Sequence, residues 1–100
     1  MFGTVALMKP KPGQEQAVVA MLDKWWNERR PSVKGAIAST IHRNITNPQE
    51  LIMSVVFDSE ENYRANASDP EQDKWYREMR ELLDADPRWM DGEVLACKHV

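Results

Sequence analysis

Cysteine is almost missing from this 100-residue chain: Cys97 stands alone. A lone cysteine excludes an intramolecular disulfide and fits a reducing compartment, so a cytoplasmic location is expected. With no activating neighbour in sequence, Cys97 reads as a small buried apolar residue rather than a reactive one. Positive charge is scarce too. Thirteen Lys and Arg against sixteen Asp and Glu leave a net charge of −3 and a pI near 5.3, with no basic footprint for nucleic acid. No apolar run approaches the roughly 18 residues that a membrane span needs, so no membrane partner is expected. Residues 1–13 have too short an apolar run, and no basic leader, for a signal peptide. Histidine is limited to His42 and His99. They show no H-x-x-x-H or Cys/His spacing, so no metal site is expected and both read as surface or interface imidazoles. There is no G-x-G-x-x-G, no P-loop and no G-x-S-x-G, which leaves dinucleotide, nucleotide and serine-hydrolase chemistry without a motif.

What remains is a chain of one-domain length, residues 1–100, with 42% hydrophobic and 29% charged residues. Residues 2–8 are short, apolar and partly β-branched, and Pro10 and Pro12 stop them: a strand and a turn. After Gly13, Val18, Leu22 and Trp25 fall at i, i+4 and i+7, with Val19, Leu22 and Trp26 overlapping them. That is an amphipathic helix, expected to end at Pro31. Residues 36–43 alternate, with Ile37, Ser39 and Ile41 on one face and Ala36, Ala38, Thr40 and His42 on the other. A polar loop around Asn47-Pro48 leads to residues 51–57, a nearly continuous apolar run suited to a strand covered on both faces.

Ser59, followed by Glu60 and Glu61, starts a short helix expected to reach Ala67. Asp69-Pro70-Glu71-Gln72 is a stronger start: an acidic cap, proline at the first helical position, and a glutamine placed as in a capping box. Trp75, Met79, Leu82 and Leu83 then follow helical spacing. Asp91-Gly92 reads as a turn into a last strand over residues 93–99. The expected fold class is α+β, a ferredoxin-like βαββααβ plan with four antiparallel strands and helices on one face. The doubly apolar third strand leaves the open sheet face in need of cover, so a homodimer through that face is expected.

Aromatic side chains are the main chemical resource. Four tryptophans, Trp25, Trp26, Trp75 and Trp89, fall in or beside elements expected to face the sheet. Aromatic stripes at helical spacing more often form core than a ligand cage. A binding site would also need a few polar groups aimed into an apolar cavity. The candidates for substrate binding are Asn62, Tyr63, Trp75, Tyr76, Met79 and Arg80, from the two helices after the central strand. No catalytic group can be singled out.

The strand order, the segment VVFDSEENYRANASDPEQDKWYREMRELL and the following DPRWMDGEV resemble the antibiotic biosynthesis monooxygenase-like family of the dimeric α+β barrel superfamily. The likeness spans the chain in layout and is densest over residues 55–94. It implies a homodimer whose sheets pack into a barrel, with a pocket between sheet and helices in each protomer. It also implies oxidation of phenolic or quinol-type aromatic molecules by O2 without metal or flavin, hence no cofactor. Asn62 matches the helix asparagine of the oxygenase branch, but Asn66 stands where that branch has tryptophan. The haem-degrading branch carries a histidine on the helix that here bears Trp75, and this helix has none, which argues against haem degradation. The alternatives are a non-catalytic ligand-binding or stress-response module, and haem binding without turnover through His42 or His99.

Overall fold

The computed structural model describes residues 1–98. Its strands are β1 (Phe2–Met8), β2 (Ala36–Arg43), β3 (Leu51–Phe57) and β4 (Arg88–Glu93); its helices are α1 (Glu15–Lys24), α2 (Glu60–Ala67) and α3 (Pro70–Arg80). The strands form one antiparallel sheet in the order β2-β3-β1-β4. This is the ferredoxin-like α+β arrangement expected from the sequence. The central pair aligns end to end, from Phe2 opposite Phe57 to Met8 opposite Leu51.

One face of the sheet carries the core. Ala6 and Met8 of β1 and Leu51 and Met53 of β3 meet Val18 of α1, Met79 of α3 and Leu83 just beyond it, all buried. Residues directly opposite in a ladder share a face, so the registers put Val5, Leu7, Ile52, Val56, Ala38 and Met90 on the other side. No helix packs there through the core, and Met90 is 47% exposed. Thr40 and Ser54, also opposite each other on that face, share a hydrogen bond of 2.7 Å.

Helix starts follow the local chemistry. The Ser59 hydroxyl accepts from the Asn62 N–H at 3.1 Å, and the Asp69 carboxylate from the Glu71 N–H at 2.9 Å, each occupying a donor that the first turn leaves unpaired. Three expectations need correction. The first helix does not stop at Pro31. After Lys24 it widens into a π turn (Trp25–Arg29) and tightens into a 3-10 turn (Arg30–Ser32) that holds Pro31 near its start, where a missing N–H is harmless. Gly35, with φ of +86°, then swings the chain into β2, and a Cβ there would collide with the side chains of Asp58 and Asn62. The third helix, expected to carry Leu82 and Leu83 and to stop by Pro87, ends at Arg80. The Leu82 carbonyl accepts from the Lys11 N–H at 2.8 Å, and Leu83 bridges to Pro10, so the loops at this end claim the backbone.

The last strand is the third correction. It runs over Arg88–Glu93, with Asp91-Gly92 inside it rather than turning into it. Gly92 lies opposite Gly3 on β1, and ladder pairing overrides the turn preference of an isolated Asp-Gly. Every residue of β4 is exposed, and Arg88, Asp91 and Glu93 charge this edge, a guard against edge-to-edge pairing. His99, assigned by sequence to the end of that strand, lies outside the described residues.

Met79 is fully buried where α3 meets the sheet. Truncating it leaves a cavity, and Met79→Ala is expected to cost about 2–5 kcal/mol, read as a lowered midpoint in urea unfolding with an unchanged slope.

Candidate ligand cleft

The helices do not cover the sheet completely. Between them and the sheet lies a cleft of about 400 Å³, lined by residues from all four strands. Its sheet side is formed by residues including Thr4, Ser39, Val55, Phe57, Trp89 and Asp91; its other walls include Trp25, Trp26, Tyr63, Asn66, Gln72, Trp75 and Tyr76.

The π turn accounts for one wall. In it the Arg30 N–H donates to the Trp25 carbonyl, five residues back, the wide-turn pattern that recurs at functional sites. It delivers two consecutive residues, Trp25 and Trp26, to the same cleft, their ring centroids 6.3 Å apart. The Arg30 guanidinium lies over the Trp26 ring at 4.9 Å. Arg29 reaches across to Asn66 Oδ1 at 3.3 Å and to Asp69 at 3.7 Å, tying the π turn to the junction between α2 and α3.

Two indole N–H groups brace the walls. Trp25 Nε1 donates to Gln72 Oε1 at 2.6 Å, and Trp75 Nε1 donates to the Met21 carbonyl at 3.1 Å. With their polar edges occupied within the protein, these rings offer the cleft apolar surface rather than hydrogen bonds. Gln72 is therefore a strut between helices and not the capping-box residue read from its spacing; Asp69 alone caps α3. Elsewhere Tyr76 pairs with Trp89 at 6.2 Å, and Tyr63 meets Phe57 edge-on at 5.6 Å.

Polar character concentrates at the end of the cleft next to β4. The Tyr63 hydroxyl donates to Asp91 Oδ1 at 3.0 Å, and Arg64 Nη1 donates to Asp91 Oδ2 at 3.4 Å. Thr4, opposite Asp91 in the ladder, is 5% exposed, and its hydroxyl has no hydrogen-bond partner. Burial, and then the hydrogen bond to Asp91, raise the Tyr63 pKa above its ordinary value. Tyr76 is raised as well, first by burial and then by the negative charge of Asp86. Both phenols are thus neutral donors at physiological pH. The carboxylates of the lining are Asp73 and Asp91, and among the described residues no Lys, Arg, His or Cys side chain lines the cleft.

Three of the six residues nominated from sequence, Tyr63, Trp75 and Tyr76, line this cleft. The other three are elsewhere. The Asn62 amide donates to Asp58 Oδ1 at 2.8 Å beneath Gly35, Met79 is fully buried in the core, and Arg80 pairs with Asp86 at 2.7 Å and the Leu83 carbonyl at 3.0 Å. Sequence reasoning kept Trp25, Trp26 and Trp89 as core aromatics, and only their number hinted at a cavity. Thr4 carried no signal beyond strand propensity, and Asp91 read as a turn. His42 is exposed on the open sheet face, remote from the cleft by register, so haem binding finds no described imidazole there.

The family model for antibiotic biosynthesis monooxygenase matches residues 1–78. Among solved structures, a Chloroflexus aurantiacus J-10-fl protein named after antibiotic biosynthesis monooxygenases is 22% identical, covering 98% of this chain and 96% of its own, with a TM-score of 0.77. A conserved protein of Methanosarcina mazei Go1 is 18% identical over 91% of this chain and 89% of its own, with a TM-score of 0.78. A Bordetella bronchiseptica protein, again named after this monooxygenase, is 18% identical over 95% and 97%, with a TM-score of 0.76. At these identities the likeness is one of fold. No curated protein matches the chain.

The raised phenols set a pH dependence. Tyrosine ionises near pH 10 in the unfolded chain, whereas Tyr63 and Tyr76 hold their protons higher when folded. The native state then binds more protons than the unfolded one above about pH 10, so stability falls as pH rises through that window. Ultraviolet titration of phenolate absorbance is expected to show late ionisation, and Tyr63→Phe to remove one such phase.

Proposed function

The chain belongs to the antibiotic biosynthesis monooxygenase family, and from that premise we propose that it is a cofactor-independent monooxygenase acting on a phenolic or quinol-type aromatic molecule in the cleft. The carrying observation is the cleft itself: about 400 Å³ walled by Trp25, Trp26, Trp75, Tyr76 and Trp89, with a few polar groups at one end. That volume suits a fused-ring ligand. In such a reaction the substrate supplies the electrons. Oxidation of a benzylic methylene to a carbonyl consumes one O2 and releases one water, all four electrons coming from the substrate. The protein's part is to hold the ring still and keep water away.

A second reading, a ligand-binding or stress-response module of the same fold, draws on a separate observation. The titratable groups lining the cleft are two carboxylates and two phenols with raised pKa. Both phenols hold their protons above neutrality, and among the described residues no histidine lines the cleft to take a substrate proton.

The biological unit in this proposal is a homodimer. Its support is the apolar stripe of Val5, Leu7, Ile52 and Val56 on the sheet face opposite the core. Packing that stripe against its copy would give each strand of the central pair its second cover. No helix among the described residues is long and apolar enough to cross a membrane. The cytoplasm is part of the same proposal and rests on the single cysteine.

Two measurements check these statements. Quenching of tryptophan emission by hydroquinones and anthrones is expected under both readings, because Trp25, Trp26, Trp75 and Trp89 line the cleft; oxygen uptake with the same compounds separates them. Binding with a flat oxygen trace removes the oxygenase and leaves the module. In sedimentation equilibrium the protein is expected at twice 11.6 kDa, with Val56→Asp returning it to the monomer. A wild-type monomer at micromolar concentration contradicts the dimer.

A further inference from the structure

The polar end of the cleft contains a hydroxyl that the fold leaves unused. Thr4 is 5% exposed, lies among the cleft-lining residues, and its Oγ1 has no hydrogen-bond partner. An unpaired buried hydroxyl is costly in a folded protein. The same sheet shows the ordinary solution on its other face, where Thr40 and Ser54 stand opposite each other and share a 2.7 Å bond. Thr4 has no bond of that kind: the Tyr63 phenol lies close enough for the threonine hydroxyl to act on its ionisation, but no hydrogen bond of ordinary geometry joins them. The residues opposite Thr4 are Val55, which offers nothing polar, and Asp91, whose two oxygens are engaged by Tyr63 and Arg64.

Those engagements leave Asp91 with spare capacity. A carboxylate accepts about four hydrogen bonds over its two oxygens and donates none. Tyr63 and Arg64 use one each and fix the group's orientation. Directly opposite strand residues bring their Cβ atoms to about 4.5–5.5 Å, so Thr4 and Asp91 present a hydroxyl and an oriented acceptor side by side. The group that satisfies both is one that donates to the carboxylate and accepts from the threonine. A hydroxyl does this; an ether oxygen, a carbonyl or an aromatic C–H does not.

We propose that Thr4 and Asp91 form the anchoring subsite of the cleft, selecting aromatic ligands that bring a protonated hydroxyl to the β1-β4 edge. The subsite rests on the reading of the cleft as an aromatic-ligand site and adds to it the chemistry that is selected. The ligand's O–H donates to Asp91 and its oxygen accepts from Thr4, while the rings lie among Trp25, Trp75 and Tyr76. Tyr63 is a positioning residue that acts through Asp91. The Thr4 hydroxyl is then a group left unsatisfied in the free protein and satisfied on binding, which is how a polar site rejects analogues that lack the matching group.

The test compares 2-naphthol with 2-methoxynaphthalene by equilibrium dialysis, using wild type, Thr4→Val and Asp91→Ala. Wild type is expected to favour the naphthol by about tenfold or more, as for a hydrogen bond to a charged acceptor. Both substitutions are expected to shrink that preference, read as the ratio of the two affinities in each variant. Thr4→Val keeps the side-chain shape and removes an unpaired hydroxyl, so its melting temperature should hold or rise as selectivity falls; a purely structural threonine would not give that combination. Equal affinity for the two ligands in wild type, or a preference that survives both substitutions, overturns the anchor and leaves the aromatic cleft standing. If neither compound binds the folded wild type, the aromatic cleft and the anchor fall together.

Discussion

Two indole N–H bonds hold the site open. Trp25 to Gln72 and Trp75 to the Met21 carbonyl run in opposite senses between the first helical segment and α3. Each donor therefore comes from a different wall, and neither wall can shift without stretching a bond. A buried indole N–H without an acceptor would be costly, so the spacing of the helices is set by polar chemistry as well as by apolar packing. The π turn belongs to the same constraint, since it presents Trp25 and Trp26 together.

The sheet divides its two faces between different tasks. Toward the helices, Ala6, Met8, Leu51 and Met53 give a packed core at one end, and Thr4, Val55, Phe57 and Asp91 line a cleft at the other. The backs of the same strands carry Val5, Leu7, Ile52 and Val56. Strand alternation makes this division automatic, because each step along the chain reverses the face. The main buried cluster therefore lies toward the Met8–Leu51 end of the sheet, while the cleft borders the end nearer Phe2 and Phe57, where Phe57 is itself buried. Arg64 sits at that second end, over both Phe2 and Tyr63 at 5.4 Å and paired with Glu60 and Asp91. It screens the Asp91 charge from outside without itself lining the cleft.

The architecture is largely legible in the sequence because it depends on local signals. The apolar runs of residues 2–8 and 51–57 and the alternation of residues 36–43 matched the observed strands, and Ser59 and Asp69-Pro70 marked their helices because a cap acts on neighbouring N–H groups. Errors gathered where local preference met a distant partner. Asp91-Gly92 looks like a turn until β1 pairs with it. Leu83 looks helical until Pro10 bridges to it, and Gln72 looks like a cap until Trp25 reaches it from 47 residues away.

The same boundary runs through the site. Composition and spacing by themselves determined the fold class and a surplus of aromatic side chains, because propensity, capping and periodicity are properties of adjacent residues. Only the tertiary structure decided which aromatics face a void and which fill the core. It moved Met79 inward, turned Asn62 and Arg80 toward other partners, and brought Thr4, Tyr63 and Asp91 to one end of the cleft. A cavity is defined by what fails to pack across elements far apart in sequence, and an unpaired hydroxyl by partners that do not arrive. Neither leaves a mark on the local pattern.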